Sequence, residues 1–184
     1  MTERLTRRVV SVLAKTPITP SALTWFGFII SLVAAVLIAR DSLLAAGIVM
    51  LVGGSFDMMD GALARLTDKV TRFGAVLDST LDRLSEAALL IGVLVLWAAD
   101  GDQNGVLLVG VTLTVSLTVS YLRSRAEALG LECKGGLFTR PERIIVLALG
   151  LVFDQLVIAL LIIAAFSIFT VLQRLIIIWR QLKD

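Results

Sequence analysis

Histidine is missing altogether from these 184 residues, and cysteine appears once, as Cys133. The first absence removes imidazole as nucleophile, base or metal ligand. The second excludes a disulfide within the chain and argues against a thiolate metal centre. Charge is scarce as well. Asp, Glu, Lys and Arg make up 17 % of the residues and apolar types 58 %, whereas a soluble domain carries about 25 % charged residues. With a mean hydropathy of +0.94, most of the chain belongs in a lipid bilayer. No internal repeat and no low-complexity segment interrupts it, so residues 1–184 read as one membrane domain.

A bilayer core needs about 20 apolar residues per helix. Six stretches qualify as spans, at 22–39, 43–64, 74–99, 104–126, 142–153 and 155–179, the fifth of them short. The expected fold is therefore an all-α integral membrane protein with six transmembrane helices. Cytoplasmic loops collect Lys and Arg. Six spans put 16 of the 17 basic residues on one side and leave only Arg40 opposite. Both termini are accordingly expected in the cytoplasm, with the protein in the cell (inner) membrane. Residues 1–16 are basic but lack an apolar core of signal-peptide length. Val9, Val10, Val12 and Leu13 beside Arg4, Arg7 and Arg8 suggest a juxtamembrane amphipathic helix on the inner leaflet, with a solvated leader as the alternative.

Against this apolar background stand four aspartates, Asp57, Asp60, Asp78 and Asp82. A carboxylate at membrane depth is costly unless a cation or donor compensates it. Asp57 and Asp60 are three apart at the end of the second span, and Asp78 and Asp82 four apart at the start of the third. Each spacing puts two side chains on one helix face. Four facing carboxylates repel one another in a low dielectric, and two divalent cations neutralise them. Oxygen donors without His or Cys select Mg²⁺ or Mn²⁺, with Ca²⁺ a poorer match. Gly61 and Gly74 permit close approach to the backbone, and Arg65 can grip a phosphate oxygen bidentately. Such a site suits a diphosphate held across two metals during a displacement. Two other readings compete. The aspartates could pair with Arg65, Arg72 and Arg83, or they could line a cation pathway, although a transporter's site usually lies nearer the bilayer midplane.

The segment Asp57-Met-Met-Asp60-Gly61-Ala-Leu-Ala64-Arg65, eight residues, then Gly74-Ala-Val-Leu-Asp78-Ser-Thr-Leu-Asp82 resembles the signature of the CDP-alcohol phosphatidyltransferases, D-x2-D-G-x2-A-R-x8-G-x3-D-x3-D, and matches it at every fixed position. The resemblance implies a cytoplasmic active site in which Asp57, Asp60, Asp78 and Asp82 hold two metal ions. It further implies that Asp82 is the general base that takes the proton of the acceptor hydroxyl as CMP leaves a CDP-lipid. Gly61, Arg65 and Gly74 would adjoin the nucleotide and diphosphate, together with Pro20, Ser21, Ala22 and Leu23 at the first span and the hydroxyl of Thr71. A homodimer is expected on the same ground.

The later stretch Ser120-Tyr121-Leu-Arg123-Ser-Arg125, followed by Gly135-Gly136-Leu-Phe-Thr-Arg140-Pro-Glu-Arg143, looks like the phosphatidylinositol phosphate synthase branch, whose acceptor is inositol 1-phosphate. A dianionic phosphate calls for arginines. The candidates are Arg123, Arg125, Arg140, Arg143 and Arg174, with Arg125 and Arg174 foremost, each weighed against simple obedience to the positive-inside rule. Glycerol 3-phosphate is the alternative acceptor. The expected partners are CDP-diacylglycerol, a phosphorylated polyol and membrane lipids, and not nucleic acid.

Overall fold

The computed structural model describes residues 19–66, 71–133 and 135–183; the side chains of Pro20 and of residues 55–66 fall outside the description, as does the expected juxtamembrane helix at 1–16. The described residues form six helices: α1 (Pro20–Ala39), α2 (Leu43–Leu66), α3 (Arg72–Ala99), α4 (Gln103–Ala128), α5 (Arg140–Val152) and α6 (Leu156–Lys183). No strand occurs among them. Their limits differ from the expected spans by at most four residues, at the end of α6.

Side-chain oxygens start most of these helices by accepting from otherwise unpaired amides of the first turn. Thr19 Oγ1 accepts from Ala22 N at 3.2 Å ahead of Pro20 in the first turn. Thr71 Oγ1 accepts from Gly74 N at 2.9 Å, and Asp102 Oδ1 from Gly105 N at 3.0 Å. At α5 the Glu142 carboxylate accepts from Thr139 N at 2.8 Å and from the Thr139 hydroxyl. The turns that end α1 and α5 place Asp41 and Asp154 at φ 59° and 55°, a left-handed conformation that Asp tolerates better than most residues.

Among the described residues, three helices are long and apolar enough to cross a membrane: Ser21–Ala39 in α1, α4 and α6. In α2 the apolar run is shorter, Leu43–Gly54. α5, with 13 residues, is only about 20 Å long. Large apolar side chains lie exposed along all six helices, from Trp25 and Phe26 to Leu172 and Ile176, as expected of surfaces that meet lipid.

The closely packed helix pairs are α1 with α2, α2 with α5, α5 with α6, α6 with α4, α4 with α3, and α3 with α1. These six contacts close a ring. Its interior is filled by side chains from every helix, among them Ile38, Met50, Leu89, Val93, Val109, Leu147, Leu151 and Leu160. Where α1 crosses α3, a Cβ on Gly92 would lie 2.6 Å from the carbonyl oxygen of Ala35, so this approach requires glycine.

Candidate active site

The chemistry-bearing residues gather at one end of the ring. Asp57, Asp60, Gly61 and Arg65 all lie within the last turns of α2, though their side chains are outside the described set. Asp78 and Asp82 are half-buried, one turn apart on α3. α1 packs against both α2 and α3, which holds the two aspartate-bearing helices in one assembly. The donors available here are carboxylate oxygens, with no thiolate or imidazole to compete, and that set suits a hard divalent cation. Among the described residues alone no cluster of three candidate ligands occurs, and the side chains of Asp57 and Asp60 lie outside that set.

Asp82 has a defined partner. Its Oδ1 lies 2.6 Å from Nη1 of Arg140, both side chains being partly exposed. Arg140 is the first residue of α5. A cation there faces the positive end of the helix dipole, a cost of about 0.3–1 kcal/mol, and the carboxylates of α3 offset it. One turn further on, Arg143 is 2 % exposed. Its Nε and Nη2 donate to the two carboxylate oxygens of Glu86 at 2.5 and 2.8 Å, and its Nη1 donates to the Phe138 carbonyl at 3.4 Å. The fork leaves neither charge uncompensated, which matters because removing one member of a buried pair costs about 3–5 kcal/mol.

The remaining arginines divide by environment. Arg123 is exposed and pairs with Glu127 at 2.9 Å, and Arg125 is exposed in the last turn of α4. Arg174 is 3 % exposed. Its Nε donates to Gly135 O at 3.1 Å and its Nη1 to Val119 O at 2.5 Å, which ties α6 to the α4–α5 loop and to α4. A Cβ on Gly136 would come within 2.8 Å of the same guanidinium. Two glutamines of α6 hold the loop as well: Gln173 Oε1 accepts from Leu137 N at 3.3 Å, and Gln181 bonds both backbone groups of Glu132. Arg83 donates to Ser79 O and, at 2.8 Å, to Ser124 Oγ.

Of the expected site residues, the fold thus brings Asp78, Asp82 and Arg140 together. Arg174 reaches the loop just before α5, while Arg143 turns into the ring interior toward Glu86. Thr71 caps α3, and a Cβ on Gly74 would lie 2.8 Å from its hydroxyl oxygen. Ser21 and Ala22 stand on the first turn of α1, with Leu23 buried. Sequence reasoning passed over Glu86, although a carboxylate eight residues beyond Asp78 in an apolar helix is itself a signal. It passed over Gln173 and Gln181 as loop anchors too.

A model of the CDP-alcohol phosphatidyltransferase family matches residues 17–179. The chain belongs to this family. It is an enzyme, a transferase of phospholipid biosynthesis. Among its relatives, the archaetidylinositol phosphate synthase of Methanothermobacter thermautotrophicus is 38 % identical over 167 residues, which cover 88 % of this chain and 83 % of that protein. The phosphatidylinositol phosphate synthase of Mycobacteroides abscessus is 39 % identical over 182 residues, covering 94 % and 82 %. Two crystal structures of the Mycobacterium tuberculosis phosphatidylinositol phosphate synthase match the fold at 35 % identity. The one with CDP-DAG bound gives a TM-score of 0.87 and covers 96 % of this chain and 94 % of that one. The one with manganese and citrate gives 0.86, with 95 % and 88 % covered.

Proposed function

We propose that this phosphatidyltransferase transfers the phosphatidyl group of CDP-diacylglycerol to a hydroxyl of inositol 1-phosphate, forming phosphatidylinositol phosphate and releasing CMP. The observation that carries the acceptor is the near full-length likeness, at 35–39 % identity, to relatives named for inositol phosphate products. Glycerol 3-phosphate is the competing acceptor, and the archaeal relatives make an ether-linked CDP-lipid the competing donor.

Asp57, Asp60, Asp78 and Asp82 are the residues that would hold two Mg²⁺ or Mn²⁺ ions, which would supply charge neutralisation for the diphosphate and the leaving nucleotide. Asp82 accepts the proton of the attacking hydroxyl, and the oxygen so freed bonds to the β-phosphorus as the bond to CMP breaks. Gly61, Arg65 and Gly74, with Thr71 and the segment Pro20–Leu23, border the CDP moiety. The acceptor phosphate falls to Arg140 and Arg174, with Arg125 and Arg123 at the rim; Arg143, expected from the sequence among them, serves the acceptor through α5.

The membrane arrangement that fits this chemistry has six crossings, with both chain ends and the site on the cytoplasmic side and the diacyl tails entering between helices from the bilayer. α5 is short because its first turn belongs to the site rather than to the hydrocarbon. A homodimer in the inner membrane completes the reading.

The deciding assay is CMP release by purified protein with Mg²⁺, comparing inositol 1-phosphate, glycerol 3-phosphate and free inositol as acceptors, each with diacyl and ether-linked CDP-lipids. Release that requires inositol 1-phosphate is expected. Release with glycerol 3-phosphate alone would overturn the acceptor assignment, and no release with any combination would overturn the proposed function.

A further inference from the structure

The geometry points to Glu86 and Arg143 as a positioning pair that spans the helix ring and sets the acceptor-binding end of α5 against the aspartate helix α3; this rests on the acceptor role proposed for Arg140. The argument begins with topology. α3 and α5 are not among the closely packed helix pairs, for in the ring they are separated by α1 and α2 on one side and by α4 and α6 on the other. Backbone packing therefore leaves their mutual register to side chains. Two ion pairs bridge the gap, and they form a ladder. Asp82 and Glu86 are one turn apart on α3, Arg140 and Arg143 one turn apart on α5; Asp82 meets Arg140 and Glu86 meets Arg143.

The two rungs differ in kind. Arg140 and Asp82 meet where both side chains are partly open, 20 % and 28 % exposed, an arrangement that can open to admit a ligand. Arg143 and Glu86 meet through two parallel bonds in a buried setting, with Leu90, Ile144, Leu147 and Ile163 lining the same crevice. A bidentate fork fixes orientation as well as distance. The third bond, from Arg143 to the Phe138 carbonyl, extends the hold to the residue just before the α5 cap. Glu86 and Arg143 touch no substrate themselves. What they determine is where Arg140 stands relative to Asp82, and hence how well the acceptor phosphate is received.

Replacing a buried ion pair by apolar residues of similar volume commonly leaves stability intact while removing the directional fork. The test is E86L/R143M, measured beside wild type for thermal unfolding in detergent and for CMP release with inositol 1-phosphate and CDP-diacylglycerol titrated separately. The expected result is wild-type or higher Tm, an acceptor KM raised at least tenfold, and a CDP-diacylglycerol KM within twofold of wild type. Wild-type kinetics in this variant would overturn the inference, and so would equal rises in both KM values. Should the double variant not fold, R143K decides, since it keeps the charge and loses the fork. Its acceptor KM is expected to rise several-fold with the lipid KM unchanged, and an unchanged ratio of the two would overturn the inference. Failure of the underlying function is read separately, as wild-type protein that releases no CMP with inositol 1-phosphate.

Discussion

Gly136→Ala is a one-carbon change whose consequence can be worked out from the structure. The added Cβ would lie 2.8 Å from Nη2 of Arg174, 3.1 Å from its Nε and 3.3 Å from its Cζ. Ordinary contact begins near 3.4 Å, so loop or guanidinium must give by about 0.6 Å. The guanidinium is not loose, because it donates to Val119 O at 2.5 Å and to Gly135 O at 3.1 Å. Overpacking of this kind costs about 1–3 kcal/mol, and a hydrogen bond to a charged group is worth about 1.5–3 kcal/mol, so a loss near 2 kcal/mol is expected. For a chain of this size that corresponds to a fall in Tm of roughly 4–8 °C, measurable by thermal unfolding in detergent. In the CMP-release assay the acceptor KM should rise about tenfold, equivalent to about 1.4 kcal/mol, while the CDP-diacylglycerol KM stays unchanged. Wild-type Tm together with wild-type kinetics would refute both the rigidity of the Arg174 anchorage and its proximity to the acceptor.

Asp82→Asn should lower kcat by about 10²–10⁴-fold, the range for loss of a general base, while CDP-diacylglycerol still binds in an equilibrium assay; retained turnover would remove Asp82 from that role. Asp78→Asn, and separately Asp57→Asn, should weaken Mn²⁺ binding in a calorimetric titration, and an unaltered isotherm would refute the ligand assignment. Gly92→Leu should destabilise the protein by about 3 kcal/mol, more than Gly136→Ala, because the obstacle is the Ala35 backbone; an unchanged Tm would mean that α1 and α3 do not cross so closely.

Helix limits were legible because apolar runs end at strong local signals, such as Arg40-Asp41-Ser42 between α1 and α2 and Asp100-Gly101-Asp102 between α3 and α4. The aspartates were legible because one turn of helix fixes their spacing, and a carboxylate in an apolar chain needs a reason. The partner of Arg143 was not. Its carboxylate lies 57 residues away, and a pairing between helices that are neighbours neither in sequence nor in the ring leaves no periodic trace. Arg174 illustrates another limit. Its position in an apolar helix suggests an anionic ligand, but its anchorage runs to carbonyl oxygens, groups that every residue carries and that no side-chain pattern reveals.

The 57-residue separation of Glu86 and Arg143 also has a temporal meaning during biosynthesis. At about 5–20 residues per second, the ribosome delivers Arg143 roughly 3–11 s after Glu86. Through that interval Glu86 lacks the guanidinium that it meets in the folded protein. The ring does not follow chain order, since α2 packs against α5 and α4 against α6. The arrival of α5 supplies the arginine for Glu86, and completion of the ring awaits α6, which packs against both α5 and α4.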